Sequence, residues 1–169
     1  MQLVSPTLQY KQGYLDAIEE SKHEPEMTLL PLPAYGQSFE DFVQNRINQS
    51  HGIDLPQGFV ASSEFWLIDN GEFIGRTNIR HMLNDWLLQI GGHIGYWIRP
   101  SKRGKGYGKK ILELALEEAK KLGIDNVLIT CDVTNIPSKK VIEANGGVLE
   151  NVIPNGPDKP QKKRYWIKA

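Results

Sequence analysis

One amphipathic helix and the connection leading into it restrict the fold more than any other part of the sequence. The helix is marked by apolar residues at helical spacing, namely Ile111, Leu112, Ala115, Leu116, Ala119 and Leu122. Gly123 follows in the position of a C-terminal cap. Before the helix, residues 93–99 have the pattern of a β-strand that stops at Pro100, and glycine-rich chain fills the connection. This order of strand, loop and helix predicts a helix that packs against a sheet.

The remaining pattern predicts a mixed architecture. The Asn70-Gly71 pair is a hairpin signal between the predicted strands 64–68 and 73–80. Further helices are predicted at 8–20, after a Ser38 cap at 39–47, at 82–90 and from Asn135, and further strands at 127–131, 148–153 and 164–167. We therefore expect an α/β (α+β) fold, whose mixed, mostly antiparallel central sheet of about six to seven strands is flanked by about four helices.

Composition argues against several classes of function. Lys and Arg total 20 and Asp and Glu total 20, so the formal net charge is zero. Such a chain lacks the basic footprint of a nucleic-acid or polybasic membrane binder, and we expect neither partner. The single cysteine, Cys131, permits no internal disulfide and no cysteine-based metal site, so we expect a cytoplasmic location and no metal. The length, with no leader-like or membrane-spanning segment, predicts one domain over residues 1–169.

The connection at residues 99–110 has the composition of an anion-binding loop. Glycine lets a ligand approach the main chain closely, and the following helix presents unpaired N–H groups at its positive end. Two well-known phosphate loops do not fit. A nucleoside-triphosphate loop needs Ser or Thr after its Lys, but Lys110 follows Lys109. The dinucleotide pattern needs a third glycine where Lys109 stands.

A third pattern, Arg/Gln-x-x-Gly-x-Gly/Ala, is satisfied by Arg103, Gly106 and Gly108. Through this pattern, and through a later segment at residues 135–138 (Asn-Ile-Pro-Ser), the chain resembles the GNAT superfamily of N-acetyltransferases. The resemblance is nearest to a bacterial group of predicted acetyltransferases that share stretches such as residues 78–81 and 91–96.

The resemblance implies a GNAT-like fold with acetyl-CoA as co-substrate and no metal. It also implies an acetyl-CoA-dependent N-acyltransferase that moves the acetyl group to a primary amine of a small molecule or peptide by direct attack on the thioester. At the level of the family, a homodimer is expected. A backbone N–H near Trp97 or Ile98 would bind the thioester oxygen, and Asn135 and Ser138 would lie along the pantetheine arm. The coenzyme pyrophosphate would be held by backbone N–H groups of the loop, which are those of Arg103, Gly104, Lys105, Gly106, Tyr107, Gly108 and Lys109.

The sequence departs from the family at the acid that protonates the departing thiolate. Many members have a Tyr where this chain has Ile142, and Gly147 replaces a Phe. Tyr96 is the phenol on the predicted central strand, and it is the candidate for the missing acid. Its alternative interpretation is core packing with a satisfied hydroxyl.

Three residues are candidates for the base that deprotonates the amine. They are His93 and His81, whose neutral imidazoles suit this role near pH 7, and Glu64, acting directly or through water. A hydrogen-bonded structural imidazole is the alternative for either histidine, and an exposed strand end is the alternative for Glu64. Asp132 is interpreted as a turn residue and Cys131 as a small buried apolar residue.

Two other functions remain as alternatives to the transferase. A non-catalytic acyl-CoA sensor would bind acetyl-CoA without releasing coenzyme A, and the missing Tyr is compatible with it. A nucleotide-binding protein would bind ATP or NAD instead, although its two loop patterns fail at the positions given above.

Overall fold

The computed structural model of the chain describes residues 1–22 and 30–169. Within them the strands are β1 Gln2–Val4, β2 Ser62–Asp69, β3 Glu72–Arg80, β4 Ile94–Ile98, β5 Asn126–Asp132, β6 Val148–Ile153 and β7 Lys162–Lys168. The α-helices are α1 Lys11–Ser21, α2 Phe39–Ser50, α3 Tyr107–Lys121 and α4 Ile136–Glu143. No helix among these residues is long and apolar enough to cross a bilayer.

The strands form two antiparallel sheets rather than one continuous sheet. The first has the order β1-β2-β3-β4 and the second has the order β5-β7-β6. The β2–β3 hairpin closes at Asn70 and Gly71, whose φ angles of 48° and 79° give the paired left-handed conformation that the Asn-Gly signal predicts. The mixed α/β class and the number of strands are confirmed, and the division into two sheets is new.

The helices cover opposite faces of the first sheet. Helix α3 packs on β3 and β4, and its Leu112 and Ala115 share a buried cluster with Ile94. On the other face, Trp97 packs with Tyr14 of α1 in an aromatic cluster that also contains residues of α2. Because successive strand residues point to opposite faces, Ile94 and Tyr96 face α3, whereas Gly95 and Trp97 face α1 and α2. The same division of faces follows from strand alternation along the predicted strand 93–99.

Three details differ from the expected elements. Strand β1 was not predicted; it pairs with β2 from Gln2 opposite Ile68 to Val4 opposite Trp66. The helix expected at 82–90 is helical only from residue 85, and residues Leu87–Gly91 form a π-helical turn. His93 precedes β4 instead of opening it.

Candidate active site

The pairing between β3 and β4 decides which backbone groups of β4 are open to a ligand. The Arg80 N–H donates to the His93 carbonyl at 2.8 Å, and the Arg99 N–H donates to the Ile74 carbonyl at 3.0 Å. Bonds in an antiparallel ladder recur at every second residue of a strand. Residues 93, 95, 97 and 99 therefore bond to β3.

The intervening residues of β4 present their backbone to the opposite side. There β4 is the last strand of its sheet, so the N–H groups of Tyr96 and Ile98 point into the space between the two sheets. We call this space the β4–β5 gap. Of the two residues expected near the thioester, Trp97 bonds to β3 through its main chain, and Ile98 is the one whose N–H points into the gap.

The glycine-rich loop follows directly after this edge and ends in an exposed helix terminus. Gly106 is the N-cap of α3, has a φ of 85° and makes no side-chain cap hydrogen bond. The N–H groups of Tyr107, Gly108 and Lys109 lie in the first turn, where α-helical N–H groups have no intrahelical acceptor. A Cβ added at Gly106 would meet no heavy atom within 4 Å among the described residues. This geometry suits a bound phosphate.

Side chains from the loop fix it to the sheet. The Arg103 guanidinium donates through Nε to the Ile98 carbonyl at 3.0 Å, while the Arg103 N–H donates to the Pro100 carbonyl. The Tyr107 hydroxyl donates to Asp69 at 2.9 Å. Arg103 therefore acts through its side chain as well as its main chain, and Gly104 and Lys105 lie exposed between these anchors.

His93 joins the two sheets. Its backbone N–H donates to the Leu128 carbonyl at 2.7 Å, and its ring Nδ1 accepts the Leu128 backbone N–H at 2.9 Å. In the neutral ring the hydrogen then lies on Nε2, because Nδ1 is already an acceptor. Burial, with a contribution from Arg80, lowers the pKa of this imidazole. The contacts favour the structural interpretation of His93 over that of a base.

Tyr96 and Ser138, predicted for different roles, are in contact. The Tyr96 hydroxyl lies 2.8 Å from the Ser138 Oγ on α4. Burial raises the pKa of Tyr96 to about 12. Asn135 is the N-cap of α4, and its Oδ1 accepts the Ser138 N–H at 3.0 Å. Asn135 therefore acts as the N-terminal cap of α4.

Glu64 lies in a buried ion pair on the face of the first sheet that packs against α1 and α2, opposite to the face of Tyr96. It is 4 % exposed. Its carboxylate accepts the Trp66 indole N–H at 2.9 Å and Arg76 Nη2 at 2.8 Å. The expectation of an exposed strand end is therefore wrong. Glu64 is opposite Asn78 in β3, and Asn78 is opposite Gly95 in β4. All three therefore lie in one row on the α1 and α2 face.

Gly95 leaves a hollow in that row. It is partly exposed, and an added Cβ would meet no heavy atom within 4 Å among the described residues. His81 directly follows β3 and lies on the other face, where its Nε2 is 2.9 Å from the Ser63 Oγ. Burial lowers the pKa of His81. The sheet thus separates His81 from the hollow at Gly95.

Sequence reasoning missed Arg76 and the importance of Gly95, whereas the prediction that Cys131 is a buried residue is confirmed. Arg76 is one of six buried polar or charged residues in the described chain. Its burial is explained by the ion pair with Glu64, which the sequence does not reveal. Cys131 is buried, and its thiol is within hydrogen-bonding reach of Ser138. The signal that could have singled out Gly95 is strand alternation along residues 93–99, which puts this glycine on the same face as Trp97. Among the described residues, no group of three or more His, Cys, Asp or Glu is arranged to hold a metal.

The comparisons with known proteins agree on one family. A family model described as an acetyltransferase (GNAT) domain matches residues 15–148. A search of curated proteins finds no match.

Solved structures resemble the whole chain. The microcin C7 self-immunity acetyltransferase MccE, in complex with acetyl-CoA and AMP, is 17% identical, with a TM-score of 0.68 over 99% of this chain and 91% of that one. The ribosomal α-N-protein acetyltransferase RimL, in complex with coenzyme A, is 19% identical, with a TM-score of 0.69 over 98% and 92%. A variant of the spermidine N-acetyltransferase SpeG from Vibrio cholerae is 16% identical, with a TM-score of 0.65 over 99% and 95%. At these identities the likeness shows the fold.

Proposed function

Because the chain belongs to the GNAT acetyltransferase domain family and is thus an acetyl-CoA-dependent N-acetyltransferase, we propose how its two substrates meet. Acetyl-CoA lies in the β4–β5 gap, and a primary amine of a small molecule or peptide enters over Gly95. The amine attacks the thioester directly. The observation that carries this proposal is the position of Gly95, which lies on the edge strand β4 beside the β4–β5 gap and leaves open space where a side chain would stand.

The coenzyme end of the proposal is supported by the continuity of the loop with β4. The pyrophosphate binds to N–H groups at the start of α3, which supply hydrogen bonds and a positive dipole end. The pantetheine arm then follows the outer edge of β4. At that edge the Ile98 N–H donates to the thioester oxygen, and such preorganised donors stabilise the negative charge that develops in the transition state.

Direct attack is supported by the state of the only thiol. A covalent acyl-enzyme on cysteine needs a thiolate, and thiolates form where neighbours lower the pKa of the cysteine. Burial instead raises the pKa of Cys131. The buried free thiol also supports the cytoplasmic location that the sequence predicts.

For the base, we infer that Glu64 takes the amine proton through water. It lies in the Gly95 row on the acceptor face, whereas His81 is on the other face and His93 Nδ1 is occupied. Neighbouring strands are about 4.8 Å apart, so the two spacings from β2 through β3 to β4 put the backbones of Glu64 and Gly95 roughly 10 Å apart. That distance requires an intervening water.

The test is a series of substitutions in the hollow, Gly95→Ala and Gly95→Val. Neither added side chain has a clash at Cβ, and a β-branched residue suits a strand, so both variants should keep the stability of the parent protein. We measure coenzyme A release with a spermidine, an amino acid and a peptide N-terminus as acceptors. The KM for the amine should rise with the size of the side chain, while the affinity for acetyl-CoA measured by calorimetry stays constant.

Three results would contradict parts of this proposal. An unchanged KM for the amine in both variants refutes the acceptor position. A loss of acetyl-CoA affinity instead places the coenzyme on the Gly95 face. Acetyl-CoA binding by the parent protein without release of coenzyme A for any amine favours the sensor alternative.

A further inference from the structure

Two arginines of β3 flank the hollow at Gly95. Asn78 lies opposite Gly95 in the β3–β4 ladder, and Arg76 and Arg80 are two residues to either side of Asn78. Because every second residue of a strand shares a face, both arginine side chains lie on the α1 and α2 face, where we place the amine. From the spacing between strands and the rise per residue, each arginine backbone is roughly 8 Å from that of Gly95. Both positive charges are therefore close to an acceptor in the hollow.

The two arginines differ in their partners. Arg76 donates to the Glu64 carboxylate at 2.8 Å. Arg80 donates through Nη1 to two main-chain carbonyls, that of Gly91 at 3.1 Å and that of Gly92 at 2.9 Å. No carboxylate of the described residues forms an ion pair with Arg80. The neutral carbonyls hold the guanidinium in place beside the start of β4, but they leave its charge without a counterion.

The surroundings of Arg80 do not neutralise this charge. Burial, with a contribution from Arg76, lowers the pKa of Arg80. Both causes act against the charged form, yet an arginine stays protonated in proteins. In the described rows of β2, β3 and β4 around Gly95, Glu64 is the one carboxylate against two guanidiniums. A partly buried cation costs free energy unless an anion pairs with it, so this face favours a ligand that brings an anion.

The Arg80 guanidinium also has an edge that is open for hydrogen bonding. Nη1 donates to the two carbonyls, whereas Nη2 and Nε have no acceptor among the described residues. Two N–H groups of one guanidinium can bind a carboxylate through two parallel hydrogen bonds. The anion that suits Arg80 is therefore a carboxylate.

We propose that Arg80 binds a carboxylate of the acceptor and thereby selects an amino acid, or a related amine that carries a carboxylate beside its nitrogen. This inference rests on the proposed acetyl transfer with the amine over Gly95. In an α-amino acid the nitrogen is about 2.5 Å from the carboxyl carbon. A charge-assisted hydrogen bond adds about 2.8 Å. An amino acid whose amine lies over Gly95 can thus reach the guanidinium with its carboxylate.

The other acceptor classes lack this group. Spermidine brings only positive charges, which Arg76 and Arg80 repel. A peptide N-terminus has a neutral amide where an amino acid has its carboxylate, so it leaves Arg80 without a counterion. The arrangement therefore distinguishes amino-acid-like acceptors from both.

The first test varies the acceptor. Coenzyme A release by the parent protein is measured with each standard L-amino acid, with its α-carboxamide, with spermidine and with a short peptide. The best amino acid should have a kcat/KM roughly 10- to 10²-fold above that of its carboxamide, because the carboxamide loses a charge-assisted interaction. Equal values of kcat/KM for the amino acid and its carboxamide overturn the proposal.

The second test removes the guanidinium. In Arg80→Gln, the preference for the amino acid over its carboxamide should fall to within about threefold, because glutamine brings no charge to the carboxylate. A merely structural role would lower kcat/KM for both acceptors alike and leave their ratio unchanged. Arg80→Lys keeps the charge without the paired N–H edge, so it should retain part of the preference, and it replaces the glutamine variant if that variant does not fold. A preference in these variants equal to that of the parent protein overturns the role of Arg80.

Arg46→Gln is the matched control. Arg46 lies on α2, which covers the same face, and its guanidinium is 5.4 Å from the centre of the Phe42 ring. This variant also loses one positive charge, but its preference for the carboxylate should stay within about twofold of that of the parent protein. Loss of the preference in Arg46→Gln, with the preference kept in Arg80→Gln, overturns the proposal.

The same measurements separate this proposal from the proposed function. Turnover of spermidine or the peptide, but of no amino acid, leaves acetyl transfer intact and refutes the role of Arg80. A parent protein that releases coenzyme A with no amine overturns the proposed function itself.

Discussion

Gly106→Val tests whether the glycine loop binds the coenzyme, and a control variant separates this effect from that of backbone strain. Gly106 has a φ of 85°, and its Cβ position is open among the described residues. The valine should therefore stand where the phosphate binds, while left-handed strain costs about 1–2 kcal/mol. If two charge-assisted hydrogen bonds of about 1.5–3 kcal/mol each are lost, acetyl-CoA binding weakens by about 3–6 kcal/mol, or roughly 10²- to 10⁴-fold.

The control is Gly123→Val at the opposite end of α3. Gly123 has a φ of 79° and a Cβ position that is equally open among the described residues. Its valine should bring the same strain without touching the coenzyme. Calorimetric titration with acetyl-CoA measures binding, and thermal unfolding should show a fall in Tm of about 2–8 °C in both variants. Equal acetyl-CoA affinities in the two variants would refute the assignment of the loop.

Three further predictions concern stability. Glu64→Gln leaves Arg76 facing a neutral partner in the core and should cost about 3–5 kcal/mol in urea unfolding, whereas the exposed Glu113→Gln should change stability by less than about 0.5 kcal/mol; equal effects would contradict the buried pair. Burial lowers the pKa of His93 and His81, so the unfolded chain binds more protons and stability should fall as the pH drops below about 6.5. His93→Gln should flatten that fall, and an unchanged slope contradicts it. Leu112→Ala should lower the free energy of unfolding by about 2–5 kcal/mol, because Leu112 is fully buried under the sheet. A smaller loss would mean that neighbouring side chains collapse into the cavity that the substitution leaves.

The sequence predicted the parts of the fold that depend on local pattern. Helix α3 and the Asn70-Gly71 hairpin are set by spacing within a few residues, and both are confirmed. Strand β1 has three residues and forms only by pairing with β2 more than 60 positions away, so no local period marks it. The split between the sheets also has no local signal. It depends on the contact between His93 and Leu128, 35 residues apart, in which the His93 Nδ1 accepts the Leu128 N–H in place of a backbone carbonyl.

The site divides in the same way. The glycine loop was predictable since its residues are contiguous. The contact between Tyr96 and Ser138 spans 42 residues, and the burial of Glu64 depends on Arg76, so both needed the folded chain. The catalytic roles, the single domain over residues 1–169 and the homodimer stay predictions, and light scattering tests the last of these.

The most direct test of the account is a titration of the isotope-labelled protein with acetyl-CoA, followed by the backbone amide signals in NMR. We predict that saturation shifts the amides of Tyr96 and Ile98, which face the β4–β5 gap, together with those of Gly106, Tyr107 and Gly108. The amide of Asn126, the exposed first residue of β5, should not shift. Binding that leaves Ile98 and the loop unchanged, and shifts amides elsewhere, would contradict the claim that the coenzyme lies in this gap.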